Sequence, residues 1–327
     1  MRPRRRSPTP LPAGLALLVV AGLAVGACTA NGGTGAATAS APPSALGAVP
    51  GWPEPGQVVS SGPIPVVASS ELIVGENRFL YTIVDQSNNP IAAPDMTSSV
   101  AFYDLARDPA TPTATVTGRF LWAIPNARGF YVAPVTFDRA GDWGAAVTVT
   151  KAGGQPQTTR VRFQVLQKGT TVAVGQKAPA TTNPTLASVG GNVHRISTDS
   201  SPDPSFYETT VAAALAAHRP FVLIFATPAF CTSGVCGPTL DEVKAVAKEE
   251  PGFTFINVEP YQLKYVDGRL QPVLDQSNQL QPVQATDQWG LEAEPWTFVV
   301  DKEGIVRESY EAVFSADELK AAIDAVK

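Results

Sequence analysis

Between residues 62 and 168 apolar and polar residues alternate with a period of two, and that period commits the segment to β-strands. Val161, Phe163 and Val165 point one way while Arg160, Arg162 and Gln164 point the other, giving each strand one buried and one wet face. The same pattern predicts strands over residues 78–84, 99–105, 120–124, 130–137 and 145–150. Turn formers separate them: Ser87-Asn88-Asn89-Pro90, Asp108-Pro109, Pro125-Asn126, Ala140-Gly141-Asp142 and Gly153-Gly154. Six or seven short strands in about 100 residues predict an antiparallel β-sandwich. The segment holds no Cys or His, and its acids are scattered in turns, so it reads as a spacer or a partner-binding module.

The N-terminus reads as an address. Arg2, Arg4, Arg5 and Arg6 form a positive region, residues 15–25 are apolar or small, and Val25-Gly26-Ala27-Cys28 closes the run. This resembles the lipobox of bacterial lipoproteins, which implies acylation of Cys28, a lipid anchor in the membrane and a body on its extracytoplasmic face. An ordinary cleaved signal peptide and an uncleaved anchor are the alternatives; the apolar run is shorter than the ~20 residues of a spanning helix. Residues 1–28 are therefore taken as signal peptide. Residues 29–60, rich in Ala, Gly, Ser, Thr and Pro, are expected to be a flexible linker. Net charge is −5 with no long basic run, which argues against nucleic acid as a partner. Three Cys and two His cannot build a disulfide-rich miniprotein or a His-rich metal site, so neither metal nor cofactor is expected. With Cys28 lipidated, Cys231 and Cys236 are the remaining thiols, in a compartment where disulfides persist.

Past a Pro/Thr/Ser-rich junction the period changes. Residues 209–218 read as an Ala-rich helix, and residues 221–226 as a strand buried on both faces. Leu240, Val243, Val246 and Ala247 space an amphipathic helix over 239–250, stopped by Pro251-Gly252. A second buried strand follows at 253–258, then a short helix at 287–291. Strands at 296–300 and 305–310 flank Asp301-Lys302-Glu303-Gly304. Ser315 caps a last helix, with Glu318 completing a capping box.

That order, with a cysteine loop between the first buried strand and its helix, resembles the thioredoxin-like superfamily. Three matches carry the resemblance over residues 175–327. Gly175-Gln176-Lys177-Ala178-Pro179 is similar to the entry of redoxin domains. Residues 225–238, ending Cys231-Thr232-Ser233-Gly234-Val235-Cys236-Gly237-Pro238, stand where thioredoxins carry Trp-Cys-Gly-Pro-Cys. Glu294-Pro295-Trp296-Thr297-Phe298-Val299-Val300-Asp301 is similar to the strand whose proline is cis in that family. In the middle segment, residues 137–143 resemble a turn of immunoglobulin-like modules on bacterial exported proteins. The expected fold class is an α/β thioredoxin-like domain over residues 169–327, preceded by an immunoglobulin-like sandwich over 61–168. The resemblance further implies that Pro295 faces the cysteine pair and that Glu294 offers its backbone to a substrate strand.

The thiolate is the nucleophile in disulfide exchange, and a helix N-terminus lowers a thiol's pKa with free N–H groups and partial positive charge. Pro238 suits the first turn of a helix, which puts Cys236 and Gly237 at its N-terminus. On that argument Cys236 attacks and Cys231 resolves; the opposite order, with Cys-x4-Cys as an expanded Cys-x2-Cys, stays open. Four intervening residues let the Cα atoms approach the ~4.4–6.8 Å of a disulfide. The strand before the loop, Leu223-Ile224-Phe225, carries no titratable group. The leading expectation is a membrane-tethered, extracytoplasmic thiol–disulfide oxidoreductase acting on protein or small-molecule disulfides. The alternatives are a binding or scaffold lipoprotein with an inert bridge, and a peroxiredoxin-like peroxidase.

Overall fold

The structure, a computed structural model, describes residues 47–327. The expected signal peptide, Cys28 and the first part of the expected linker lie outside the described residues, so the expected lipid anchor does too. Among the described residues no helix is long and apolar enough to cross a membrane. Trp52, inside the stretch expected to be a flexible linker, is docked: its Nε1 donates to the Pro109 carbonyl at 3.0 Å and its ring meets Tyr103 edge-on.

The alternating segment folds into the expected strands and one more, β1, that the alternation did not mark: β1 Ile64–Val67, β2 Gly75–Val84, β3 Met96–Asp104, β4 Ala114–Ile124, β5 Arg128–Phe137, β6 Gly141–Lys151 and β7 Gln157–Val165. Their assembly differs from the expected immunoglobulin-like sandwich. They form one seven-stranded antiparallel sheet in the order β1-β2-β5-β4-β3-β6-β7. The cause is β4, long enough to pair with β3 through its first half (Val100 opposite Val116) and with β5 through its second (Phe120 opposite Tyr131). Hydrogen bonding therefore passes through β4 instead of stopping at two sheet edges. Gly118 sits at the changeover, where a Cβ would lie 2.2 Å from the Tyr81 hydroxyl and 3.2 Å from the Tyr131 Cβ. The sheet encloses Phe79, Tyr81, Phe102, Phe137 and Trp143, whose rings pack edge-on or tilted.

The remaining elements are α1 Val211–Ala216, β8 Phe221–Phe225, α2 Cys236–Glu249, β9 Thr254–Val258, β10 Leu263–Val266, β11 Arg269–Pro272, α3 Gln284–Trp289, β12 Trp296–Val300, β13 Val306–Glu311 and α4 Ala316–Asp324. Four strands pair in the order β13-β12-β8-β9, and β10 and β11 make a separate hairpin. Strand β8 is buried throughout: Val222 and Ile224 pack with Leu240 of α2 and Leu319 of α4, while Phe221, Leu223 and Phe225 pack with Val211 of α1 and Trp289 of α3. The capping box forms, with Ser315 Oγ accepting the Glu318 N–H at 3.3 Å and Glu318 Oε2 accepting the Ser315 N–H at 2.9 Å.

The expected α/β class, and the thioredoxin-like membership behind it, are corrected by this architecture. The chain is mainly β, 36% strand against 16% helix. Among the strands of the described residues, only β8 and β9 pair in parallel; the other strand pairs are antiparallel. Helices α1 and α3 are six residues each, under two turns. The physical reason is that the matching motifs are short and specify local geometry, whereas class is set by which strands pair.

The described residues, 47–327, all fall within one compact unit. Glu318 of α4 pairs with Arg78 of β2 at 3.0 Å and also with Arg119 of β4. Both carboxylate oxygens of Glu311 accept the Ser70 N–H, at 2.9 and 3.0 Å.

Candidate functional site

Cys231 and Cys236 are joined by a disulfide, with Cα atoms 6.0 Å apart, inside the range expected from their spacing. The loop between β8 and α2 brings them together. Gly234, at φ +71°, turns the chain left-handed, and its N–H donates to the Cys231 carbonyl at 3.2 Å. Helix α2 then begins at Cys236, so Gly237 and Pro238 lie in its first turn as predicted.

The two sulfurs differ in access. Cys236 is 0% exposed and packs with Val222, Ile224 and Leu240, whereas Cys231 is half-buried. The Cys236 N–H, first of the helix, donates to Cys231 Sγ at 3.3 Å. Ser233 Oγ lies 3.2 Å from the same sulfur, and because a bridged sulfur carries no hydrogen the hydroxyl is the donor. The Pro238 argument thus located the helix start correctly, but the sulfur that receives its N–H is Cys231.

Glu294 completes the cluster. One of its carboxylate oxygens and the two sulfurs all lie within 4.8 Å of one another. The Tyr261 hydroxyl donates to Glu294 Oε2. Burial pushes the Glu294 carboxyl above the usual carboxylate range, opposed by hydrogen bonds from Tyr261 and the Thr232 backbone. The Glu294–Pro295 bond is cis, and the Pro295 carbonyl accepts the Ala312 N–H at 2.9 Å.

The seven-stranded sheet reaches this loop. The Arg128 guanidinium, at the start of β5, donates to the Ser233 carbonyl. Val235 is buried among Leu80, Leu121, Phe130 and Val132 of the sheet. The sheet therefore forms one wall of the site, a role that sequence reasoning did not give it.

Glu259 was also missed. It follows β9, whose end lies beside the end of β8 (Phe225 opposite Val258). Its Oε1 accepts the Thr198 N–H at 2.6 Å, and Thr198 Oγ1 accepts the Ala229 N–H of the cysteine loop at 3.3 Å. Burial lifts the Glu259 carboxyl to about 7. The available signal was an acid directly after a strand buried over its last four residues.

No protein-family description matches the chain, and no curated protein does. Among solved structures, it is similar to a DUF4426 family protein from Pseudomonas aeruginosa PAO1, at 12% identity over 34% of this chain and 98% of the other, with a TM-score of 0.24. The PmoD soluble domain from Methylocystis sp. ATCC 49242 (Rockwell) is similar at 16% identity over 33% of this chain and 95% of the other, with a TM-score of 0.22. At those TM-scores neither likeness carries an argument about activity. The site must be read from its own geometry.

Proposed function

We propose that the chain is a thiol–disulfide oxidoreductase working through Cys231 and Cys236, held at the extracytoplasmic face of a membrane by its N-terminus. One observation carries the reading: a reachable sulfur accepts the first N–H of a helix, and a buried sulfur is bonded directly behind it. A helix start favours the anion, and accessibility gives that anion a substrate to attack.

The roles therefore fall in the order opposite to the one favoured by sequence. In the dithiol state the Cys231 thiolate attacks one sulfur of a substrate disulfide. The substrate S–S bond breaks, and its second sulfur leaves as a thiolate that takes a proton from water. Cys236 then loses its proton and attacks Cys231 Sγ, expelling the first substrate thiol and restoring the bridge. Two electrons pass from the pair to the substrate, and the reverse sequence oxidises a substrate dithiol.

Equilibration of the chain with a glutathione redox series tests the reading. The expected midpoint lies above about −300 mV, the range of exchangeable pairs. A midpoint well below that value assigns the bridge to stability alone and overturns the proposal.

A further inference from the structure

We propose that the opened cysteine pair and Glu294 together form a binding site for a thiophilic divalent cation, with zinc the best fit. The three donor atoms already lie within 4.8 Å of one another. Tetrahedral zinc with bonds of about 2.3 Å to sulfur and 2.0–2.2 Å to oxygen needs its donors roughly 3.5–3.8 Å apart. With the S–S bond open, the sulfurs part and the carboxylate closes in to reach that geometry.

The donor set selects the ion. Two thiolates exclude magnesium and calcium, which require oxygen, and a carboxylate beside them suits a borderline cation. The donors are oriented by partners of their own: Tyr261 on Glu294, and Ser233 and the Cys236 N–H on Cys231. Cys231 and Glu294 are both half-buried, so the fourth position opens toward water. Three protein donors and one open position are the arrangement of zinc sites that exchange their ligands.

The site exists in one redox state only. Reduction of the bridge to two thiols takes two electrons and two protons: a dithiol supplies both, whereas a phosphine supplies the electrons, becoming its oxide, and water supplies the oxygen and the protons. Binding the ion then releases both thiol protons and forms two metal–sulfur bonds. An ion so bound occupies both exchanging sulfurs, and thiol–disulfide exchange stops until it leaves. This regulation rests on the redox reading only in requiring that the pair can open.

The test uses the full chain carrying Cys28→Ser, so that the pair supplies every thiol. It is reduced with a phosphine, freed of reductant without oxygen, and titrated with cobalt(II), then with zinc(II) against a chromogenic chelator. A thiol count of two per chain establishes that the pair is open; if it resists, reduction in denaturant followed by refolding opens it. The expected result is a thiolate-to-cobalt charge-transfer band saturating at one ion per reduced chain and absent from the oxidised chain. Zinc affinity should fall at least about tenfold in Glu294→Gln, with its circular dichroism unchanged. An open pair that gives no band, or equal zinc affinity with Glu294→Gln, overturns the metal site and leaves the redox reading standing. A midpoint below about −300 mV overturns the redox reading and leaves the ion titration to decide the metal site.

Discussion

At the scale of single residues, Glu259 carries an energetic consequence that can be measured apart from activity. Its Oε1 accepts one N–H while Oε2 meets no partner, and burial lifts its pKa from 4.5 to about 7. A carboxyl raised in this way holds its proton more tightly folded than unfolded. Its contribution to stability is full below pH 4.5 and is lost as pH rises through about 7. The shift corresponds to roughly 3 kcal/mol. Glu259→Gln, which keeps the shape of the protonated acid, should be more stable than the parent near pH ~8 and show a shallower decline between about pH 5 and 8 in urea melts. Glu311, also lifted to about 7 by burial, acts in the same window and accounts for part of the remaining slope. Identical slopes for parent and variant would refute the assignment. Nothing within residues 253–259 shows that Glu259 approaches the cysteine loop; that depends on β9 pairing beside β8, a contact between distant segments. Cys231, Cys236 and Glu294, which the structure brings together, each sit in a short local pattern of the sequence. Which sulfur faces water was not legible there, because access is decided by side chains from elsewhere in the chain.

At the scale of elements, the cysteine loop is held by β2, β4 and β5 as well as by α2. Val235 is 1% exposed in the cluster that includes Leu80, Leu121 and Phe130, and Arg128 donates to the neighbouring Ser233 carbonyl. Val235→Ala leaves a cavity between loop and sheet and should cost roughly 2 kcal/mol. Amide hydrogen exchange over residues 231–236 should quicken more than in β6, which is remote from the loop in the sheet order. Unchanged loop protection would show that the sheet does not hold it. Strand periodicity located β2, β3, β5, β6 and β7 and the second half of β4, and the Ser315/Glu318 capping box located α4, because both signals are local. The β10–β11 hairpin was passed over although Asp267-Gly268 has both residues at positive φ, the signature of a tight hairpin turn. Its strands are four residues each and only partly buried, so they lack a strong apolar alternation.

At the scale of the whole molecule, the two strand systems form one unit in which Glu318 ties α4 to β2 of the seven-stranded sheet and Glu311 ties β13 to the β1–β2 connection. Sequence placed most of the elements but not their assembly. The continuity of the first sheet through β4 turns on a changeover at Gly118 that no turn signal marks, and the mainly β character of the chain emerges only from the pairing of all its strands. The contact between sheet and loop means that the oxidised pair, its helix and its outer wall are to be tested together. The most direct measurement is covalent trapping: the full chain carrying Cys28→Ser together with either Cys236→Ser or Cys231→Ser is challenged with a small aromatic disulfide, and the adducts are weighed. A stable mixed disulfide at Cys231 in the first variant, with the second inert while folded, is the predicted outcome. Trapping at Cys236, or at neither position, would contradict the claim that Cys231 is the attacking sulfur.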